Sequence, residues 1–518
     1  MAAIRNGVDD VAQHGGIECA CAWPASCDRQ PTMTWWPRTV VVLAGLVMCA
    51  ALIGAYRHGG NIDEFATALF ADPTIPLSAA WAHLWAGETN PPFFYLFARL
   101  WLQLTGPTLF ERRSINLVPL AFLLAWFAYA TARHPQHRPF LAGLALFAFT
   151  GKFFLWQFPD YRGYFSQYCA ELVFLGAACI AYLEHDDRPD LFQLVALPFL
   201  MVIHQVTTIY TFVLLVPLIR TDLHRRLYFR AACLTVVACL AFIPLGLFSW
   251  LQLHQTPDVL SRVAWITPRD PISASLKILN YLAPAIGENW VALAVAGFVA
   301  FQPLYRPKGP SAALIRMIGG AAIVATVLVL IINSRHPLTV ERYFSFVAVE
   351  VIVILALTVV PLLLAQPRLA ALVTANAAIY VAVGAVAMAR PSGWQLDAAI
   401  IAKLVAQCPD TRIHAGSLPI NRAEQFGLTY VAGPYHMTLL PPARDKPDAC
   451  PIIYWTEFRA PTRYEIARHH GDSVSAANDS AEFGLDAVQL AHTRAITTQT
   501  GIVLVVSAPD KSPDVPIN

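Results

Sequence analysis

Three stretches of the chain set carboxylates beside cations. The first opens with Asn61-Ile62-Asp63-Glu64-Phe65. It continues through Glu88-Thr89-Asn90-Pro91-Pro92-Phe93-Phe94-Tyr95 and ends at Glu111-Arg112-Arg113. The second is Pro159-Asp160-Tyr161-Arg162-Gly163-Tyr164, and the third runs from Asn333-Ser334-Arg335-His336-Pro337 into Glu341-Arg342-Tyr343. Arginine forks grip phosphate oxygens, and a carboxylate takes a proton from a nucleophile or holds a metal. Together they suit a phosphorylated ligand. Each residue also has a plainer use. Asp63 could cap a helix over Glu64–Ala71, Asp160 after Pro159 could shape a turn, and Arg112 and Arg113 could anchor a helix at headgroup level. His204 could be a packed, hydrogen-bonded side chain, and Pro91 and Pro92 set the start of a helix.

The elements that must position these residues are membrane helices. The 518 residues are 56% hydrophobic and 14% charged, with mean hydropathy +0.50, against roughly 25% charged in an average soluble domain. Apolar runs of about 20 residues, enough to span ~30 Å of hydrocarbon, recur over the first three quarters of the chain. The reading is an all-α polytopic membrane protein with about eleven spans. They fall near 38–56, 113–131, 140–157, 164–183, 191–203, 206–220, 231–250, 289–305, 317–332, 344–365 and 369–388. Residues 191–220 could instead form one long or re-entrant helix. The apolar segment Phe93–Thr105 is too short to cross and is expected to lie flat in the interface. Positive charge at Arg38, at Arg133–Arg138, at Arg220–Arg230 and at Arg306-Pro307-Lys308 marks the cytoplasmic loops, which leaves all three polar clusters outside.

Residues 1–37 read as a cytoplasmic tail without the apolar core of a signal peptide. Cys19, Cys21 and Cys27 read there as free thiols, and Met33 would be a natural start for the first span. Residues 38–388 form the membrane domain, with 57–112 as its large first outer loop. Residues 389–518 change to the composition of a small α/β periplasmic domain. Leu396–Gln407 has helical spacing there, and Pro451–Trp455 and Ile502–Ser507 read as strands. Cys408 and Cys450 are expected to pair, as outer cysteines commonly do. The net charge of +2 and the lack of a basic, aromatic-studded stripe exclude a nucleic-acid partner.

An acidic pair just after the first span, an Asn-Pro-Pro-aromatic-Tyr interfacial helix and a Glu-x-Arg entry to the second span resemble the C-type (GT-C) membrane glycosyltransferases. These include the protein O-mannosyltransferases and the aminoarabinose transferases of lipid A. Asp160-Tyr161-Arg162-Gly163-Tyr164 is similar to their Arg-x-Tyr entry to the fourth span. Arg342-Tyr343-Phe344 resembles a late Arg-Tyr, and His204–Tyr210 stands where many have a Thr-His-Tyr element. Asn90 departs from the commoner His. The resemblance implies an inverting transferase in the bacterial cytoplasmic membrane, with its site on the periplasmic side. It would carry a sugar from a polyprenyl-phosphate donor to an envelope glycan, lipid or protein. Asp63 would be the base, with Glu64 beside it and Asp160 as the second-loop acid. Arg112, Arg113, Arg162, Arg335 and Arg342 would hold the phosphate, with Lys152, His204, His336 and Tyr343 as further candidates. A divalent Mg or Mn could bind Asp63, Glu64 and Asp160, or the carboxylates could act without it. The alternatives are a transporter or flippase of the same lipid, expected to carry ionisable groups at mid-membrane, and a non-enzymatic envelope scaffold.

Overall fold

The computed structural model describes residues 35–86, 88, 90–255, 272–276, 290–302, 307–334, 341–415, 422–441, 443, 445, 447, 449–456, 485, 487–497 and 502–507. The tail with its three cysteines lies outside these residues. Among them, eight helical runs are long and apolar enough to cross a membrane: Trp35–Arg57, Leu109–Arg133, Tyr164–Glu184, Gln205–His224, Tyr228–Leu251, Gly309–Asn333, Ser345–Ala365 and Pro367–Gln407. They coincide with eight of the eleven expected spans. The other three segments fold as shorter helices. The run expected over 140–157 stops at Thr150 and restarts at Lys152, because Gly151 is extended (φ −72°, ψ 150°). The segments near 191–203 and 289–305 hold the 12-residue helices Leu191–Val202 and Trp290–Phe301. The stretch 191–220 is two helices, broken where extended His204 caps Gln205–His224 by accepting from Val206 N. Phe93–Leu104 is a 12-residue helix.

The bundle is organised around Tyr164–Glu184 and Ser345–Ala365, both buried along most of their length. Small residues let neighbours close on them, as membrane helices need when water supplies no driving force between them. Gly143 and Gly176 face Val360 and Trp126 so closely that a Cβ would fall 2.1–2.2 Å away. The charges of the 133–138, 184–190 and 220–230 loops meet at one end. His134 pairs with Glu184 at 2.8 Å, Arg225 donates to Tyr182 O at 2.8 Å, and buried Arg230 pairs with Asp222 at 3.3 Å. Asp63, Arg113 and Asp160 gather at the opposite end.

After Met388 a capping box at Ser392 begins Gly393–Gln407, and a five-stranded mixed sheet follows. Its strands are β1 (Arg412–Ala415), β2 (Leu439–Leu440), β3 (Ile452–Thr456), β4 (Thr493–Thr497) and β5 (Ile502–Val506), in the order β2-β1-β3-β5-β4. β1 is parallel to β2 and β3, and β5 is antiparallel to β3 and β4. Alternation sorts the side chains between faces. Ile413, Ile453, Trp455, Val503 and Val505 pack in one core with Trp394, Ile401 and Leu428 of the helices, while Ile452, Tyr454, Leu504 and Val506 pack in another.

Cys408 and Cys450 are joined, with Cα atoms 5.7 Å apart and a sequence separation of 42. Closing a loop of that size restrains the unfolded chain by roughly 3–4 kcal/mol. Cys408→Ser is therefore expected to destabilise the sheet by that order. The check is chemical unfolding followed at the buried Trp455. Equal midpoints for variant and parent would contradict it.

Candidate active site

Two short helices build the site. Ile62–Phe70 starts at Asn61, whose side chain accepts from Glu64 N (3.0 Å) while the Glu64 carboxylate accepts from Asn61 N (3.3 Å). Asn61, rather than Asp63, is the cap, so the helix-capping use weighed for Asp63 is removed. Leu109–Arg113 starts with a second capping box between Thr108 and Glu111.

Glu64 and Arg113 join the two helices in the interior. Arg113 Nε donates to Glu64 Oε1 at 2.8 Å and Nη2 to Oε2 at 2.7 Å, with both side chains about 1% exposed. The rest of the guanidinium is taken by the carbonyls of Ala55 (2.9 Å), His58 (2.6 Å) and Gly59 (3.3 Å). Glu64 Oε1 also accepts from Tyr161 N at 2.8 Å, tying in the second loop. Glu64, expected beside the base, and Arg113, expected at the phosphate, are thus partners in one buried ion pair. Each is enclosed and saturated by the other, and both hold the site together. Arg112 Nε donates to Pro107 O at 2.9 Å and the guanidinium lies 5.7 Å over the Phe426 ring, while its buried Nη1 has no hydrogen-bond partner among the described residues.

Asp63 and Arg162 face the other way. Arg162 Nη1 donates to Asp63 O at 2.8 Å and stands 3.7 Å from its carboxylate, and the Asp63 side chain is 32% exposed. Arg162 also donates to Tyr164 OH at 3.4 Å and lies 5.4 Å over that ring. It lines a pocket with Thr67, Asn90, Tyr95, Tyr164 and His204. The His204 ring is 4.3 Å from Tyr343 and 6.0 Å from Tyr164. Because His204 Nδ1 accepts from Val206 N, its ring hydrogen is assigned to Nε2.

Asp160 is half-buried in the turn before Tyr164. Asn61 Nδ2 donates to its carboxylate at 3.4 Å, and Asn116 Nδ2 holds the turn by donating to the carbonyls of Phe158 (2.9 Å) and Asp160 (2.8 Å). Desolvation first, and then the charge of Glu64, push the Asp160 carboxyl from 3.8 up to about 7. A guanidinium already stands at Asp63, and among the described residues no three His, Cys, Asp or Glu side chains converge on a metal position.

Half-buried Lys152 opens the mostly buried helix Lys152–Gln157, and Tyr343 is buried in the turn Glu341–Phe344. Arg335 and His336 lie outside the described residues, as does the side chain of Arg342. The sequence reading missed Asn116 and Thr67 and gave Asn61 and Tyr95 no role of their own; the spacing Asn-x-x-Glu at 61–64 is a capping-box signal that identifies Asn61. It also missed two carboxylates inside the spans. Glu171, which accepts from Gln167 (2.8 Å) and Ser345 (3.1 Å), and Glu350 are both fully buried. Ionisable groups are therefore not confined to the loops.

No protein-family model matches the chain, and comparison with curated proteins gives no match. Solved structures do match. ArnT from Cupriavidus metallidurans bound to undecaprenyl phosphate superposes with TM-score 0.51 and 13% identity, covering 93% of this chain and 100% of that one. The apo form of the same protein gives 0.51 and 13% over 91% and 98%. The chain has the fold of these ArnT structures, with eight helices among the described residues long and apolar enough to cross a membrane.

Two outcomes follow from the geometry. Glu64→Ala leaves the Arg113 charge buried without its partner and is expected to cost about 3–5 kcal/mol; a melting temperature within a degree of the parent would contradict it. Asp160 releases its proton near pH 7 in the folded chain and near 3.8 when unfolded. The stability this adds is full below about pH 4 and is lost as pH rises through about 7. Asp160→Asn should flatten the stability profile across that window, and an unchanged profile would contradict the assignment.

Proposed function

We propose that this chain is an inverting glycosyltransferase. It moves a sugar from a polyprenyl-phosphate donor to a hydroxyl of a cell-envelope glycan, lipid or protein, at the periplasmic face of the bacterial cytoplasmic membrane. The observation that carries this reading is a partly exposed carboxylate, Asp63, set 3.7 Å from Arg162, which itself lines a pocket with Tyr164 and His204. A solved protein of the same fold binds undecaprenyl phosphate. The orientation rests on the loop charges. Arg133, Arg138, Arg220, Arg225, Arg226 and Arg230 gather at the end away from the site, and positive loops stay in the cytoplasm.

The chemistry is one displacement. The acceptor oxygen attacks the anomeric carbon from the face opposite the phosphate and passes its proton to the Asp63 carboxylate. The bond from that carbon to the phosphate oxygen breaks with its electron pair on the phosphate. Arg162 neutralises the departing charge, and the hydroxyl of Tyr164 and Nε2–H of His204 supply donors beside it. Asp160 is the second carboxyl, held partly protonated at neutral pH. Arg342, which enters the turn that sets Tyr343 on His204, and Arg335 are further phosphate ligands in this reading.

Lipid transport without chemistry is the second reading, favoured by Glu171 and Glu350 within the spans. The two differ on donor consumption. Asp63→Asn keeps the shape but cannot take the proton, and with Asn61 as the cap the helix is left intact. Turnover of purified protein on a polyprenyl-phosphate sugar is expected to fall by about 10²–10⁴ with donor affinity little changed. A folded variant that transfers within a few-fold of the parent would remove Asp63 from the mechanism.

A further inference from the structure

Phe65, the residue after Glu64, turns away from the bundle into the core of the C-terminal sheet region. It is fully buried, with ring centroids 5.1 Å from Trp394, 5.9 Å from Tyr430 and 6.2 Å from Phe426. The socket is shaped to the ring: a Cβ at Gly427 would fall 2.3 Å from Phe65 and 2.4 Å from Trp394. The same region reaches the other half of the site. The Tyr430 hydroxyl accepts from Leu109 N at 2.8 Å, the first residue of the helix carrying Arg113, and Phe426 lies under Arg112. Ser392 presses on the loop between, where a Cβ at Gly59 would sit 2.0 Å from its Oγ. Gly59 O is one of the acceptors that hold Arg113.

A nine-residue helix is marginal by itself and takes its position from tertiary contacts. Ile62–Phe70 is held on one side by Glu64–Arg113 and on the other by Phe65. We propose that the C-terminal region is the positioning element of the site, and that Phe65 is a positioning residue whose seat among Trp394, Phe426, Gly427 and Tyr430 fixes where Asp63 stands. The effect on turnover rests on Asp63 acting at the acceptor. A misplacement of ~1 Å can cost ~100-fold in rate, so the contact acts mainly on kcat, while Tyr164 and His204, carried by other elements, keep their places at the pocket.

The test uses the full chain in lipid nanodiscs. Phe65→Leu is expected to lower kcat about tenfold or more, to leave donor KM within about twofold, and to speed amide hydrogen exchange over 62–70. Gly427→Ala pushes a methyl into the ring and should act the same way. Combining the two refills the space the ring vacates and should return kcat to within about threefold of the parent. Tyr430→Phe removes one hydroxyl and tests the seam if the larger changes fail to fold; exchange over 109–113 should rise and kcat fall about two- to fivefold. Failure of the double variant to exceed Phe65→Leu would overturn the proposal. So would Phe65→Leu, or Tyr430→Phe where Phe65→Leu does not fold, with parental exchange and turnover. If the parent consumes no donor, the catalytic reading of Asp63 fails, and the exchange measurements alone decide the clamp.

Discussion

The rest of the site depends on one buried ion pair. Glu64 and Arg113 meet through two short bonds where neither is exposed. Such a pair is stable only if every remaining lone pair and hydrogen is satisfied, because desolvation costs each ion several kcal/mol. Here the remainder is satisfied by backbone of four segments: the end of the first span at Ala55 and His58, the loop at Gly59, the helix start at Asn61 and the second loop at Tyr161. The charges therefore act as a knot that fixes where the two short helices and the Asp160 turn sit.

The knot also divides labour between adjacent residues. Successive positions on a helix differ by about 100° in direction, so Glu64 faces inward and Asp63 faces Arg162. Burial, and then the charge of the inward carboxylate, push the Asp160 carboxyl up to about 7. Separation of two carboxyls by environment is how one site keeps an acid and a base together at neutral pH. Arg162 then stands as the guanidinium lining the pocket, supported on the Tyr164 ring, with the His204 and Tyr343 rings tilted against each other alongside.

Much of this was legible in the sequence where one strong constraint governs. Hydrocarbon demands long apolar helices, so eight spans were readable, and short β-branched and aromatic apolar runs marked β3 and β5. Other features depend on contacts between distant segments. Gly151 and His204 interrupt apolar runs whose composition is continuous. Arg112 and Arg113 look like phosphate grips as text, but one faces Phe426 and the other Glu64, and only packing tells buried from exposed cations. Phe65 looks like an ordinary apolar helix residue, because its socket is built more than 300 positions later. The intramembrane pair Glu171 and Glu350 was overlooked because single carboxylates barely dent the hydropathy of a 21-residue helix.

The most direct measurement is a density map of the protein in lipid with a polyprenyl phosphate bound. The phosphate is expected between Arg162, Tyr164 and His204, with its nearest oxygen within about 3 Å of a guanidinium nitrogen and the Asp63 carboxylate facing the vacant side. A phosphate held at the opposite, arginine-rich end of the bundle, or a pocket left empty at saturating lipid, would contradict the account.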